Sequence, residues 1–132
     1  MNVGLLIITH NDTGKGLLDT ATRIFGCCPL EARTIDVPYD GNPEQLKSEA
    51  YTLIEQLNRG DGVLVLTDMY GSTPGNIATA LCQEKDINVN VVAGINLPML
   101  VRVFNYADLD LSGITDSAIT GGKKSIMQCK PK

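Results

Sequence analysis

The sequence predicts a three-layer α/β/α sandwich built on a mainly parallel sheet. Short Val-, Ile- and Leu-rich runs are apolar throughout, the mark of strands covered on both faces. They alternate with amphipathic segments of about 10–15 residues, which reads as successive βαβ units. Right-handed crossovers then place helices on both sides of the sheet. In addition, two of the runs end in reactive polar groups, and in open α/β sheets chemistry sits at the carboxyl ends of the strands.

The first strand is the apolar run from Val3 to Ile8, delivering Thr9 and His10 to a polar loop, Asn11-Asp12-Thr13-Gly14. Leu17, Leu18, Ala21, Ile24 and Phe25 recur at helical spacing and predict one apolar helix face ending near Gly26. Residues 32–37 carry enough β-branched side chains for a strand, which Pro38 stops. A helix follows, with Asn42 as cap, Pro43 at its first position and Gln45 completing a capping box. Leu46, Ala50, Leu53, Ile54 and Leu57 form its buried face, and Gly60 ends it. Residues 62–68 make another buried strand, closed by Thr67-Asp68. Thr73-Pro74 then repeats the cap-then-proline start of a helix whose inner face is Ile77, Ala78 and Leu81. Residues 89–93 are the fourth strand, a helix is expected around Pro98 to Phe104, and a weaker one over 112–120. Gly121-Gly122 is expected to break the chain before a final strand over Ser125 to Cys129.

The totals bound the function. A chain of 132 residues is expected to form a single domain, 1–132, with a proper core. Net charge is −4 and the eleven Lys and Arg form no basic stripe, so no nucleic-acid partner is expected. No apolar run reaches the roughly 18 residues that span a bilayer. The N-terminal run lacks the basic flank of a signal peptide, so a cytoplasmic protein is expected, peripheral to a membrane at most. The four cysteines include no C-x-x-C, and with a single histidine no metal site is expected. Small buried thiols are the expected role for Cys27, Cys28, Cys82 and Cys129.

The reactive groups lie at two strand ends. Pattern alone does not give the strand order, but the expected order of 2-1-3-4 would make the first and third strands neighbours, so that Asp68 could hydrogen-bond one nitrogen of His10 and leave the other as a nucleophile. The same carboxylate stabilises the positive charge that appears when the ring is modified. Beyond it, Gly71 and Gly75 permit close backbone approach and Ser72 and Thr73 supply hydroxyls at a helix start, a setting suited to phosphate. A nucleophilic His, an orienting Asp and an anion cradle point to phosphoryl transfer, which asks mainly for positioning. Each group alone has a plainer reading. A strand-end His or Asp is commonly a solvated polar residue, and Gly-Ser-Thr-Pro is commonly a loop with a helix cap. Gly14-Lys15 does not make a nucleotide-binding loop, because Thr9 and Gly16 occupy positions that need Gly and Ser or Thr. Asp19 likewise replaces the last glycine of a dinucleotide fingerprint, and no cofactor is expected.

Three stretches together resemble the IIA component of mannose-type (mannose/fructose/sorbose) sugar phosphotransferase systems. They are Thr9-His10 after its strand, Thr67-Asp-Met-Tyr-Gly-Ser-Thr-Pro-Gly-Asn76, and Ala93-Gly-Ile-Asn-Leu-Pro-Met-Leu100. The resemblance implies a phosphocarrier domain in which His10 takes phosphate from HPr and passes it to a IIB component. It implies Asp68 as the partner of His10, Thr73 as the hydroxyl at the phosphate-binding helix start, and a homodimer exchanging the C-terminal strand. Two positions depart from the family's usual pattern: Asn11 stands where Gly is common, and Gly71-Ser72 where Gly-Gly is frequent.

Two other readings compete. One is a regulatory module whose phosphorylation state another protein reads, with identical chemistry at His10. The other is a response-regulator-like receiver, suggested by Asp68 at the third strand's end and by Lys130-Pro131. Against the receiver, only Asp12 is available where that family pairs acidic residues.

Overall fold

The computed structural model describes residues 1–131. Four parallel strands, β1 (Gly4–His10), β2 (Ala32–Val37), β3 (Val63–Thr67) and β4 (Val89–Ala93), lie in the order β2-β1-β3-β4. Five helices connect and cover them: α1 (Thr13–Phe25), α2 (Pro43–Leu57), α3 (Thr73–Leu81), α4 (Leu97–Asn105) and α5 (Leu111–Lys124). Both the α/β/α layering and the 2-1-3-4 order are as the sequence predicts.

Burial follows strand position. The central strands β1 and β3 are buried from Gly4 to Thr9 and from Val63 to Thr67, whereas the edge strands β2 and β4 are half-covered. Alternate residues of the central strands feed two cores. Leu5, Ile7, Leu64 and Leu66 pack with Ala21 of α1, Leu100 and Phe104 of α4 and Ile114 of α5. Leu6, Ile8, Val63 and Val65 pack with Ala50 and Ile54 of α2 and Ile77 of α3 on the opposite face. Each fully buried Leu or Ile contributes about 1.5–3 kcal/mol. That two-sided burial fixes the ends of β1 and β3, and therefore what they carry.

Several local expectations are corrected. On α1 only Gly14 and Ala21 are buried; Ile24 and Phe25 stay exposed, although Phe25 stacks edge-on against Phe104 at 5.7 Å. Asn42 caps α2 through the amides of Glu44 and Gln45, while α2 itself stops at Leu57, before Gly60. Gly121 and Gly122 do not break the chain but lie inside α5. A Cβ on Gly121 would sit 2.6 Å from Cβ of Arg102, and one on Gly122 would sit 2.8 Å from the Met99 methyl. The glycines let α5 press against α4, which extends α5 to Lys124. Residues 126–131 form no strand in the single chain, for the predicted Ser125–Cys129 strand finds no neighbour there. The thiols are not buried either: Cys27, Cys82 and Cys129 are exposed and Cys28 is half-buried. No helix among the described residues is long and apolar enough to cross a membrane.

Candidate functional site

His10 is the last residue of β1 and the first of that strand to emerge from the core, its side chain 46% exposed. The loop that follows is held from two sides. The amide of Asn11 donates to the carbonyl of Val37 on β2 (2.9 Å), and Asn11 adopts a left-handed backbone with φ of 46°. Asn is among the few side chains that tolerate this conformation. From beneath, the buried hydroxyl of Thr9 accepts the amide of Gly14 at 2.8 Å. Asp12, the residue before α1, makes no side-chain cap, so Thr9 supplies the capping acceptor from inside the core.

Asp68, one residue past β3, reaches across to this strand end. Its Oδ2 accepts the backbone N–H of His10 at 3.0 Å and lies 2.9 Å from His10 Nδ1. Burial pushes the Asp68 pKa up. The amide, ring and charge of His10, with Asp68's own amide, outweigh that and hold the carboxyl below its usual value. The expected His10–Asp68 pairing is therefore present. With Oδ2 occupied on the Nδ1 side, Nε2 is the ring nitrogen left for chemistry.

The segment after Asp68 folds back on itself. The Ser72 hydroxyl donates to the Met69 carbonyl at 2.6 Å and accepts the Gly75 amide at 3.3 Å, so Ser72, rather than Thr73, caps α3. Thr73 is instead the first helical residue, and it is exposed. Gly75 is buried against the same turn, where a Cβ would lie 2.5 Å from the Met69 carbonyl oxygen. Gly71 sits at the tip with φ of 82° and open space around it. Of the four residues expected to cradle phosphate, Ser72 and Gly75 thus have structural tasks, while Thr73 and Gly71 face solvent. Two polar atoms beside this turn, Thr67 Oγ1 and Asp68 Oδ1, are buried without a hydrogen-bond partner.

Pattern reading named Thr9 beside His10 but not its capping role, and it gave Met69 no role at all. The signal for Thr9 was a hydroxyl inside an otherwise apolar strand, five residues before a glycine at a helix start. Met69 offers only its carbonyl, which no side-chain pattern reports.

Chemically, the arrangement is an oriented imidazole beside a carboxylate on an open ledge. One cavity lies at the opposite end around Glu31 and Arg59, and another runs along Met99, Gly122 and Ile126. No cluster of His, Cys, Asp and Glu among the described residues could hold a metal ion.

A family model described as the fructose IIA component of the phosphotransferase system (EIIA-man) matches residues 4–118. The chain belongs to the mannose-type IIA family. It is 30% identical over 134 residues to the mannose-specific EIIAB component of Escherichia coli, covering all of this chain but 41% of that protein. It is also 29% identical over 119 residues to the transcriptional regulatory protein LevR of Bacillus subtilis, covering 87% of this chain and 12% of LevR. Its fold matches a mannose/sorbose-specific IIA subunit from Enterococcus faecalis with a TM-score of 0.88 at 18% identity, covering 100% of this chain and 98% of that one. As a mannose-type IIA chain, it carries the His10–Asp68 pair at the ends of its two central strands.

Proposed function

We propose that residues 1–132 act as one phosphocarrier domain in which His10 accepts phosphate from HPr and passes it to a IIB component. The observation that carries this reading is the contact between Asp68 Oδ2 and His10 Nδ1 at 2.9 Å. With the proton on Nδ1 donated to Asp68, the Nε2 lone pair attacks the phosphorus of the donor's phosphohistidine. The new Nε2–P bond forms as the donor's N–P bond breaks, and that electron pair returns to the donor's ring. The phosphorylated imidazole of His10 then carries positive charge, which the Asp68 carboxylate offsets. Return of the Nε2–P electron pair on transfer to IIB restores the starting state, so no cofactor or metal is consumed. In this reading Thr73 and the amides of the Gly71 turn meet the phosphoryl oxygens.

The open ledge supports a protein rather than a small molecule as phosphate donor. Partners of this kind place the protein in the cytoplasm, peripheral to a membrane permease. A homodimer is part of the same reading, with residues 125–129 of each copy pairing with the other.

A regulatory role without sugar flux is favoured by one observation, the likeness to LevR over most of this chain. In that case the phosphorylation state of His10 is read by another protein, and the chemistry is unchanged.

The test is incubation with PEP, enzyme I and HPr, comparing wild type with His10→Ala. Wild type should gain an acid-labile, alkali-stable phosphate that the variant lacks. Labelling of the variant, or a label lost in alkali, would overturn the assignment. A IIB component that then drains the phosphate supports transport; retention of phosphate in its presence favours regulation.

A further inference from the structure

Tyr39 and Tyr70 are the two most exposed large hydrophobic side chains among the described residues. Neither helps the core, and both flank His10. Tyr39 lies two residues beyond Val37, which pairs in register with His10. Tyr70 lies two residues beyond Asp68, whose carboxylate holds the His10 ring. Strands β2 and β3 adjoin β1 on opposite sides, and neighbouring strands are only ~4.8 Å apart. The two tyrosine loops therefore bracket the one exposed end of β1, and Met69, also exposed, adds an apolar side chain on the β3 side.

A single exposed aromatic needs no explanation. Two tyrosines and a methionine around a reactive histidine are different, because Tyr and Met are the residue types enriched where proteins meet. Their surroundings are acidic. Asp12, Asp36 and Asp40 are exposed at this edge, and none joins an ion pair among the described residues. Of the lysines on the adjoining helices, Lys47 is engaged by Glu44 at 3.8 Å and the exposed Lys15 joins no ion pair among the described residues.

We propose that these loops form a docking rim for the phosphate-donating protein, with Tyr39 and Tyr70 as apolar anchors and Asp12, Asp36 and Asp40 as an acidic ring. The matching partner face is apolar around its own phosphohistidine and rimmed by Lys or Arg. The carboxylates steer the approach, and the aromatic pair holds the docked complex while phosphate crosses to His10. This proposal rests on His10 being the phosphate acceptor.

Two donors separate docking from chemistry: phospho-HPr, which must dock, and phosphoramidate, which is too small to touch the rim. Tyr39→Ala and Tyr70→Ala should each raise KM for phospho-HPr by about tenfold with little change in kcat. Labelling by phosphoramidate should stay within about twofold of wild type, a limit far below the tenfold docking effect. Asp36→Asn with Asp40→Asn should flatten the rise of KM with ionic strength. Tyrosine variants that keep the wild-type KM overturn the docking rim alone. Equal losses with both donors also overturn it, since the tyrosines would then support the histidine itself. A wild-type chain labelled by neither donor overturns the phosphocarrier reading and the rim with it.

Discussion

One carboxylate oxygen of Asp68 accepts the main-chain N–H of His10 at 3.0 Å and stands 2.9 Å from that residue's ring nitrogen. A single atom thus fixes both the strand end and the ring it carries. The two tasks separate on substitution. In Asp68→Asn the amide oxygen still accepts one N–H, but no negative charge faces the phosphorylated ring. Phosphorylation of His10 should slow by roughly ten- to a hundredfold, the range seen when a working histidine loses the group that orients it. The far-ultraviolet circular dichroism should not change. An Asp68→Asn protein that is folded and labels at the wild-type rate would remove the carboxylate from the mechanism.

The same contact gives stability a pH dependence. Asp68 has a carboxyl pKa below its usual value in the folded chain. The native state therefore favours the charged form, and the resulting stabilisation is complete above the unfolded pKa of about 4. It is lost as pH falls from there through the folded pKa. Wild type should accordingly lose its melting-temperature advantage over Asp68→Asn as pH falls below about 4, and keep it at pH 6. An advantage that grew on acidification would contradict the sign of this linkage.

Thr9 offers a test of the loop beneath the histidine. Thr9→Val preserves shape but leaves the Gly14 amide without the acceptor it has at 2.8 Å. Orphaning a buried amide costs about 1–3 kcal/mol. Urea denaturation should show a loss of that size, whereas Thr9→Ser, which keeps the oxygen, should lose less. Equal stability of the Val and wild-type proteins would mean that the hydroxyl does not cap α1.

Two glycines close to the site should respond in opposite directions to alanine. Gly75→Ala forces a methyl to within 2.5 Å of the Met69 carbonyl oxygen, so the Ser72 turn must move. A loss of about 1–3 kcal/mol is expected, together with slower phosphorylation. Gly16 lies within α1 with nothing within 4 Å of a new Cβ, and Gly16→Ala should gain about 0.5–1 kcal/mol from helix propensity alone. Thermal melts of the two variants decide the matter, and a neutral Gly75→Ala would show that the turn is not closely packed.

What the sequence disclosed, and what it hid, divides along local and non-local causes. The strands were legible because burial on both faces leaves an unbroken apolar run, as at Leu5 to Ile8. His10 and Asp68 were legible as a pair only on the condition of a 2-1-3-4 order, which the folded sheet supplies. Gly121-Gly122 was misread because local rules treat two glycines as a break. Their reason is Arg102 and Met99 on another helix, which no window around residue 121 contains. The cap of α3 was assigned one residue late for a similar reason. Ser72 and Thr73 carry equivalent hydroxyls, and only the folded turn shows that Ser72 reaches both Met69 and Gly75.

The chain's end supplies the last test. Ile126 and Met127 are 81% and 80% exposed, and the segment from Ile126 is tied to the fold by a 3.4 Å bond from its amide to Lys123. Close by, β4 is an edge strand that among the described residues pairs only with β3, and an apolar hollow along it is lined by Val92, Met99 and Ile126. An unpaired edge invites another strand, and exposed apolar residues favour covering it. If the tails cross between two copies, a chain ending at Ser125 should sediment as a monomer where the full chain sediments as a dimer. Because residues 126–131 contribute nothing to either core, the shortened chain should keep its circular dichroism. A shortened chain that remained dimeric would place the interface elsewhere, and one that unfolded would show that residues 126–132 stabilise the fold itself.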